Sequence, residues 1–104
     1  SVKSKVNNIF KVLKEKNPNP KTELEYSSVF TLLVAVVLSA QSTDKGVNAV
    51  TRKLFKEANT PQKMVELGEK KIKKIISKIG LFNTKSKNVF LLSKIFLIFF
   101  VKIK

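Results

Sequence analysis

Apolar residues return at helical spacing along most of this chain, and the exceptions are as informative as the rule. Val6, Ile9, Phe10 and Leu13 fall at i, i+3, i+4 and i+7, with Lys3, Lys5, Lys11, Lys14 and Lys16 between them. That pattern predicts an amphipathic helix over about 2–16. NPNP, Asn17 to Pro20, ends it, because proline lacks an N–H and disfavours helix in the residue before it. KTELEY then reads as an extended linker. Val29 to Ala40 follows, apolar on almost every face, with Ser27 or Ser28 available as N-cap. Its β-branched residues would also suit a buried strand, but twelve residues is long for a strand and no sheet partner follows. The expectation is a helix buried on all sides.

Thr43 is the natural cap of a third helix, with Asp44 in its first turn, where negative charge suits the helix dipole. Val47, Val50, Leu54 and Phe55 give its inner stripe. In NTP, Asn59 to Pro61, Thr60 can cap and Pro61 can open a short fourth helix carrying Met64, Val65 and Leu67, with Gly68 past its end. A fifth helix is expected over Glu69 to Ile79, on Ile72, Ile75, Ile76 and Ile79, with Gly80 supplying a left-handed terminus. A sixth is expected from about Lys85, with Val89, Phe90, Leu92, Ile95, Phe96 and Phe99. The tail IFLIFFVKIK loses this periodicity and needs partners the chain does not supply after it. The fold class is therefore all-α, about six helices.

Composition narrows the chemistry. With 104 residues and 43% hydrophobic content the chain can build one small core. Three Gly and three Pro are few for an all-β fold held by tight turns. Without Cys there are no disulfides and no thiolate chemistry, and without His the commonest general base and metal ligand is missing. No metal-ligand set is expected. A net charge of +14 favours a polyanionic partner. Yet Arg52 is the one arginine among 21 basic residues, and Asn, Ile and Phe are abundant, the amino-acid signature of an AT-rich genome. Composition alone leaves partner and codon bias both open. Neither apolar run is long enough to span a bilayer, so the expectation is a cytoplasmic protein with no membrane partner.

Two stretches carry more than composition: LSAQSTD, Leu38 to Asp44, and IGLFNTKSKNV, Ile79 to Val89. A glutamine at the end of a core helix is most simply a solvated turn residue, and Leu81 most simply a hydrophobic staple. Together, with NPNPKTELEYSSVFTLLVAVV before the first and ANTPQKMVELG between them, these stretches resemble the N-terminal half of endonuclease III. That family is a helix-hairpin-helix DNA glycosylase with AP-lyase activity, and the similarity runs from about residue 5 to 97. The resemblance implies an N-terminal helix and Pro-rich linker over 1–20 and part of a six-helix barrel domain over 21–104. It implies a partner, double-stranded DNA with damaged or abasic sites, bound by a monomer.

It also implies roles. Such enzymes turn a damaged nucleotide out of the stack and must fill the space it leaves. Gln41 corresponds to the residue that enters the gap, and its amide can donate and accept. Leu81 corresponds to the apolar wedge, which unstacks neighbours without competing for hydrogen bonds. Asn83 and Lys85 follow, where backbone N–H groups and a cation could reach phosphate.

The family's lysine nucleophile, its assisting aspartate and its hairpin clamp belong to a later segment that IFFVKIK, 98–104, does not resemble. No lysine here sits in a hairpin motif, so no catalytic residue is assigned. The family's four cysteines hold a 4Fe–4S cluster; with no Cys this chain has no ligand for one, and no cofactor is expected. The implied function is a truncated, catalytically inactive endonuclease III that binds DNA damage through its gap-filling loops. The alternatives are a non-catalytic basic DNA-binding module and a non-functional remnant. Apolar faces deprived of partners, above all Val6, Ile9, Phe10 and Leu13, would favour non-specific association.

Overall fold

A computed structural model describes residues 24–103, with side chains to residue 99. The amphipathic helix expected over 2–16 lies outside the described residues. Those described form five helices and, among them, no strand: α1 (Val29–Ser39), α2 (Asp44–Glu57), α3 (Pro61–Leu67), α4 (Glu69–Ile75) and α5 (Phe82–Ile103).

Most starts follow from side-chain oxygens. Ser28, not Ser27, caps α1. Its Oγ accepts from the Thr31 N–H at 3.1 Å, and Thr31 Oγ1 accepts from the Ser28 N–H at 2.8 Å. This is a reciprocal capping box with threonine in the place usually held by Glu or Gln. Thr43 accepts from Gly46 N–H to start α2, and Thr60 accepts from Lys63 N–H with Pro61 leading α3. Gly68, at φ 89°, joins α3 to α4 in a backbone region that L side chains avoid.

Three expectations change at the C-terminal end. α4 stops at Ile75 rather than Ile79. Ile76 sits at φ −92°, ψ 8°, and the Ile79 N–H turns back to the Ile76 carbonyl at 3.1 Å, a tighter turn that redirects the chain. Ile79 is still buried, so the apolar period was right while the helix was not. The left-handed residue is Leu81, at φ 59°, and Gly80 is not left-handed. And α5 begins at Phe82, three residues before Lys85, because the Leu81 carbonyl already accepts the Lys85 N–H at 2.9 Å.

The core gathers Val34, Ala35 and Leu38 of α1, Val47, Val50 and Leu54 of α2, Met64 of α3, Ile72 of α4 and Val89 of α5. Ile76 and Ile79, from the connection between α4 and α5, complete it. α5 runs against α1, α3 and α4. Phe30 and Phe96 meet edge to face at 5.3 Å between ring centroids, closing the α1–α5 seam. α1 is not buried on all sides as its composition suggested. Phe30, Leu32, Val34 and Leu38 are buried, while Val29, Leu33 and Val36, at i, i+4 and i+7, are half-buried. α5 carries a matching deficit: Leu91, Ile95, Ile98 and Phe99 are exposed.

Buried hydroxyls are satisfied within their own helices. Ser93 Oγ donates to the Val89 carbonyl, Ser86 Oγ to the Asn83 carbonyl and Thr51 Oγ1 to the Asn48 carbonyl, as buried polar groups require. Asn48 Oδ1 accepts from the Glu25 N–H at 2.8 Å, and Arg52 pairs with the Glu25 carboxylate through two hydrogen bonds. These contacts fasten the segment before α1 onto α2.

Candidate nucleic-acid interface

Two connections lie side by side at one end of these helices. The first, Ala40 to Thr43, joins α1 to α2. α1 ends with Ser39 Oγ donating to the Val36 carbonyl, and the Ser42 N–H closes a turn on the Ser39 carbonyl at 3.1 Å. Gln41 lies inside that turn, exposed, with φ 56°. The second, Ile76 to Leu81, joins α4 to α5. Leu81 stands at its end with φ 59° and 54% of its surface exposed.

Among the described residues, Gln41 and Leu81 are the two non-glycine residues with positive φ. A left-handed L-residue costs about 1–2 kcal/mol relative to right-handed backbone. Glycine would remove that cost at either position. Strain of this kind, held by surrounding structure, gathers at functional sites. Leu81 adds a second anomaly. It occupies the cap position of α5, where Ser, Thr, Asp or Asn would hold a first-turn N–H, yet its side chain has no acceptor.

Lys85 ties the two connections together. It lies one turn into α5 and is only 3% exposed. Its Nζ donates to Ser42 Oγ at 2.9 Å, so a side chain anchored beneath Leu81 holds the residue next to Gln41. Burial pushes its pKa below the ordinary lysine value. The ammonium thus sits beneath the surface, and a lysine expected to face outward faces the neighbouring loop. Asn83, in the first turn of α5, is exposed, and its carbonyl accepts from Ser86 Oγ. The four residues singled out in the sequence therefore occupy one end of the fold. Gln41, Leu81 and Asn83 are at the surface, and Lys85 is buried with its ammonium on Ser42, the residue after Gln41.

Sequence reasoning missed Ser42, the partner of Lys85, and the backbone of Leu81. A loop serine gives no signal of a contact 43 positions away. The absence of a capping residue before Phe82 was the available sign that the start of α5 is unusual.

Among the described residues no group of acidic, His or Cys side chains could hold a metal ion, and no helix is long and apolar enough to cross a membrane.

The pattern that defines the HhH-GPD superfamily base excision DNA repair proteins matches residues 34–101. The chain is 58% identical over 90 residues to endonuclease III of Rickettsia conorii, covering 86% of this chain and 43% of that protein. It is 54% identical over 77 residues to endonuclease III of Escherichia coli K12, covering 74% and 36%. Among solved structures, a trapped endonuclease III–DNA covalent intermediate, an estranged-adenine complex, superposes with a TM-score of 0.69 at 31% identity. That match covers 92% of this chain and 43% of the other. A non-covalent endonuclease III–DNA complex gives 0.66 at 29%. The chain thus spans about two fifths of the length of the relatives it matches.

Proposed function

Because the chain belongs to the HhH-GPD superfamily of base excision DNA repair proteins, and is an endonuclease III-like member of it, we propose that its 104 residues bind double-stranded DNA at damaged or abasic sites by entering the base stack. Gln41 fills the space left by the displaced nucleotide. Leu81 wedges between the bases that remain. Asn83 offers the backbone of the first turn of α5 to phosphate. Lys85 serves the same end through Ser42, holding the two loops at a fixed separation.

One observation carries this reading. Two adjacent connections each hold an exposed non-glycine residue in left-handed backbone, and a buried lysine links the start of α5 to the first of them. Rigid presentation matters because prying apart a base step costs a few kcal/mol. A wedge that folded back on contact would not recover that energy. Glutamine satisfies base edges of either kind, and leucine makes no directional demand, so the pair tolerates any sequence around a lesion.

The catalytic part of the reading is separate. Among the described residues the lysine whose pKa is lowered, Lys85, is committed to Ser42 and is not free to act as a Schiff-base nucleophile. We accordingly propose a lesion-binding unit without lyase chemistry of its own.

Titration of fluorescent duplexes tests the first part. Abasic duplex is expected to bind at least about tenfold tighter than intact duplex, a difference of about 1.4 kcal/mol. Gln41→Ala and Leu81→Ala are each expected to erase most of that margin. A preference unchanged in both variants would overturn the assignment. Borohydride trapping on abasic duplex tests the second part: no covalent adduct is expected, and an adduct would refute it.

A further inference from the structure

Beside the loop pair lies a groove of about 900 Å³ between α2 and α4. Lys53 and Lys56 line it from α2, Lys71 and Lys74 from α4, and Lys78 from the turn after α4, with Glu57 as the one acidic side chain. Lys53 and Lys56 share a face of α2 at i and i+3, Lys71 and Lys74 a face of α4 at the same spacing, and Lys78 joins them from the turn. Val50, Ile75 and Ile79 give the groove an apolar floor. None of the five lysines forms an ion pair or a ring contact among the described residues. The ion pair there is Glu25–Arg52, and the cation–ring contacts belong to Lys73, over Phe82, and Lys94, over Phe90. Five ammonium groups around one trough, opposed by one carboxylate, repel one another unless an anion joins them.

Dimensions select the anion. The α2 wall runs from Gly46 to Glu57, which at 1.5 Å per residue is about 16 Å. One strand of a duplex rises about 3.4 Å per phosphate along the axis and its phosphates lie about twice as far apart along the strand itself, so a wall that follows the strand matches about three phosphates. A single phosphate or nucleotide would use a fraction of it. Position agrees with size. Gly46 is in the first turn after the Gln41 loop, and Ile79 is two residues before Leu81, so the groove abuts both tips.

We propose that this groove binds the sugar–phosphate backbone of one strand beside the opened site, as an anchor that is blind to sequence and to damage. The proposal rests on the reading of the loops as a lesion-binding pair. It adds a second DNA-facing surface with a different dependence on salt.

The experiment compares two variants of equal charge. One changes Lys53, Lys71, Lys74 and Lys78 to Gln; the other changes Lys63, Lys70, Lys87 and Lys94, exposed lysines outside the groove. Affinity for intact and abasic duplex is measured across a salt series. The groove variant is expected to flatten the slope of log affinity against log salt by about 3, close to 0.9 for each phosphate no longer neutralised. The outside variant is expected to flatten it by less than about 1. A third variant with Arg at the four groove positions retains charge and is expected to keep the parent slope, which excludes misfolding as the cause. Equal flattening in the groove and outside variants overturns the proposal. The ratio of abasic to intact affinity reads the loops independently. If that ratio is one in the parent while the groove variant alone loses slope, the loop reading fails and the groove stands.

Discussion

Leu81 and the Leu91–Phe99 face of α5 are both exposed and apolar, yet the chain presents them in opposite ways. Leu91, Ile95, Ile98 and Phe99 stand at i, i+4, i+7 and i+8 on an unstrained helix. They are about half exposed, and nothing in their backbone distinguishes them from a core stripe whose neighbour is absent. Leu81 stands alone on a turn, in a left-handed conformation, at a cap position it cannot serve, above a buried lysine that fixes the adjoining loop. A stripe of regular side chains describes a packing surface. A single apolar side chain held out against backbone strain fits the probe we propose. Exposure alone would rank the stripe first, and the backbone reverses that order.

The largest effect expected is one that spares neither region. Leu38 is fully buried at the entrance to the first loop, and Leu38→Ala should remove about 3 kcal/mol of stability. In a domain whose total is about 5–15 kcal/mol, thermal melting should show a large downward shift, and lesion binding should fall with it. The comparison sharpens at Leu81 itself. Leu81→Gly relieves the left-handed strain and is expected to raise stability by about 0.5–1 kcal/mol while abolishing the preference for abasic duplex. Replacing Leu91, Ile95 and Ile98 by Gln should do the reverse, leaving the preference intact and reducing self-association in sedimentation. If the stripe variant lost the preference and Leu81→Gly kept it, the contrast between probe and packing surface would be inverted.

Lys85 separates bracing from folding. Lys85→Met keeps the stem and deletes the ammonium, so stability should change by no more than about 1 kcal/mol. The abasic preference should fall several-fold as the two loops lose their link, and Ser42→Ala should reproduce that fall. The pH dependence has a definite sign. Burial lowers the folded pKa of Lys85, so between that value and the ordinary lysine value the unfolded chain holds more protons. Parent stability therefore rises with pH through that window relative to Lys85→Met, and the penalty for burying the charge is full below it. Melting the two proteins across alkaline pH checks this.

The smallest effect belongs to Glu25 and Arg52. The Arg52 guanidinium, hydrogen-bonded to Glu25, holds its carboxyl below the usual range. A depressed acid contributes stability above its unfolded pKa and loses it as pH falls through the folded value. The pair is exposed and screened, so Arg52→Ala should move the melting temperature little. The Glu25 carboxyl should titrate at a higher pH in that variant, as NMR can follow.

What the sequence discloses divides along physical lines. Caps were legible where a side-chain oxygen makes them: Ser28, Thr43 and Thr60 sit where the local chemistry predicts. The inner stripes were legible because burial follows period, even at Ile79, where the helix has already ended. The last joint was not. Glycine is the ordinary left-handed residue, so Gly80 drew an expectation that Leu81 fulfils instead, and the last helix, expected from about Lys85, begins at Phe82. Both misses have one cause: local rules describe relaxed backbone, and here tertiary contacts hold a strained one. The side of Lys85 was illegible for a similar reason, since its partner is set by how two loops meet. The residue motifs fall together at one end of the molecule, while the Lys85–Ser42 contact and the lysine groove could be seen only in the fold.

The most direct test of the central claim watches the base stack itself. A fluorescent adenine analogue placed opposite an abasic site brightens when it is unstacked. Binding of the parent chain is expected to brighten it, and binding of Leu81→Gly, at concentrations that saturate the duplex, is expected to leave it dark. Equal brightening by both proteins, or none by the parent at saturation, would contradict the account.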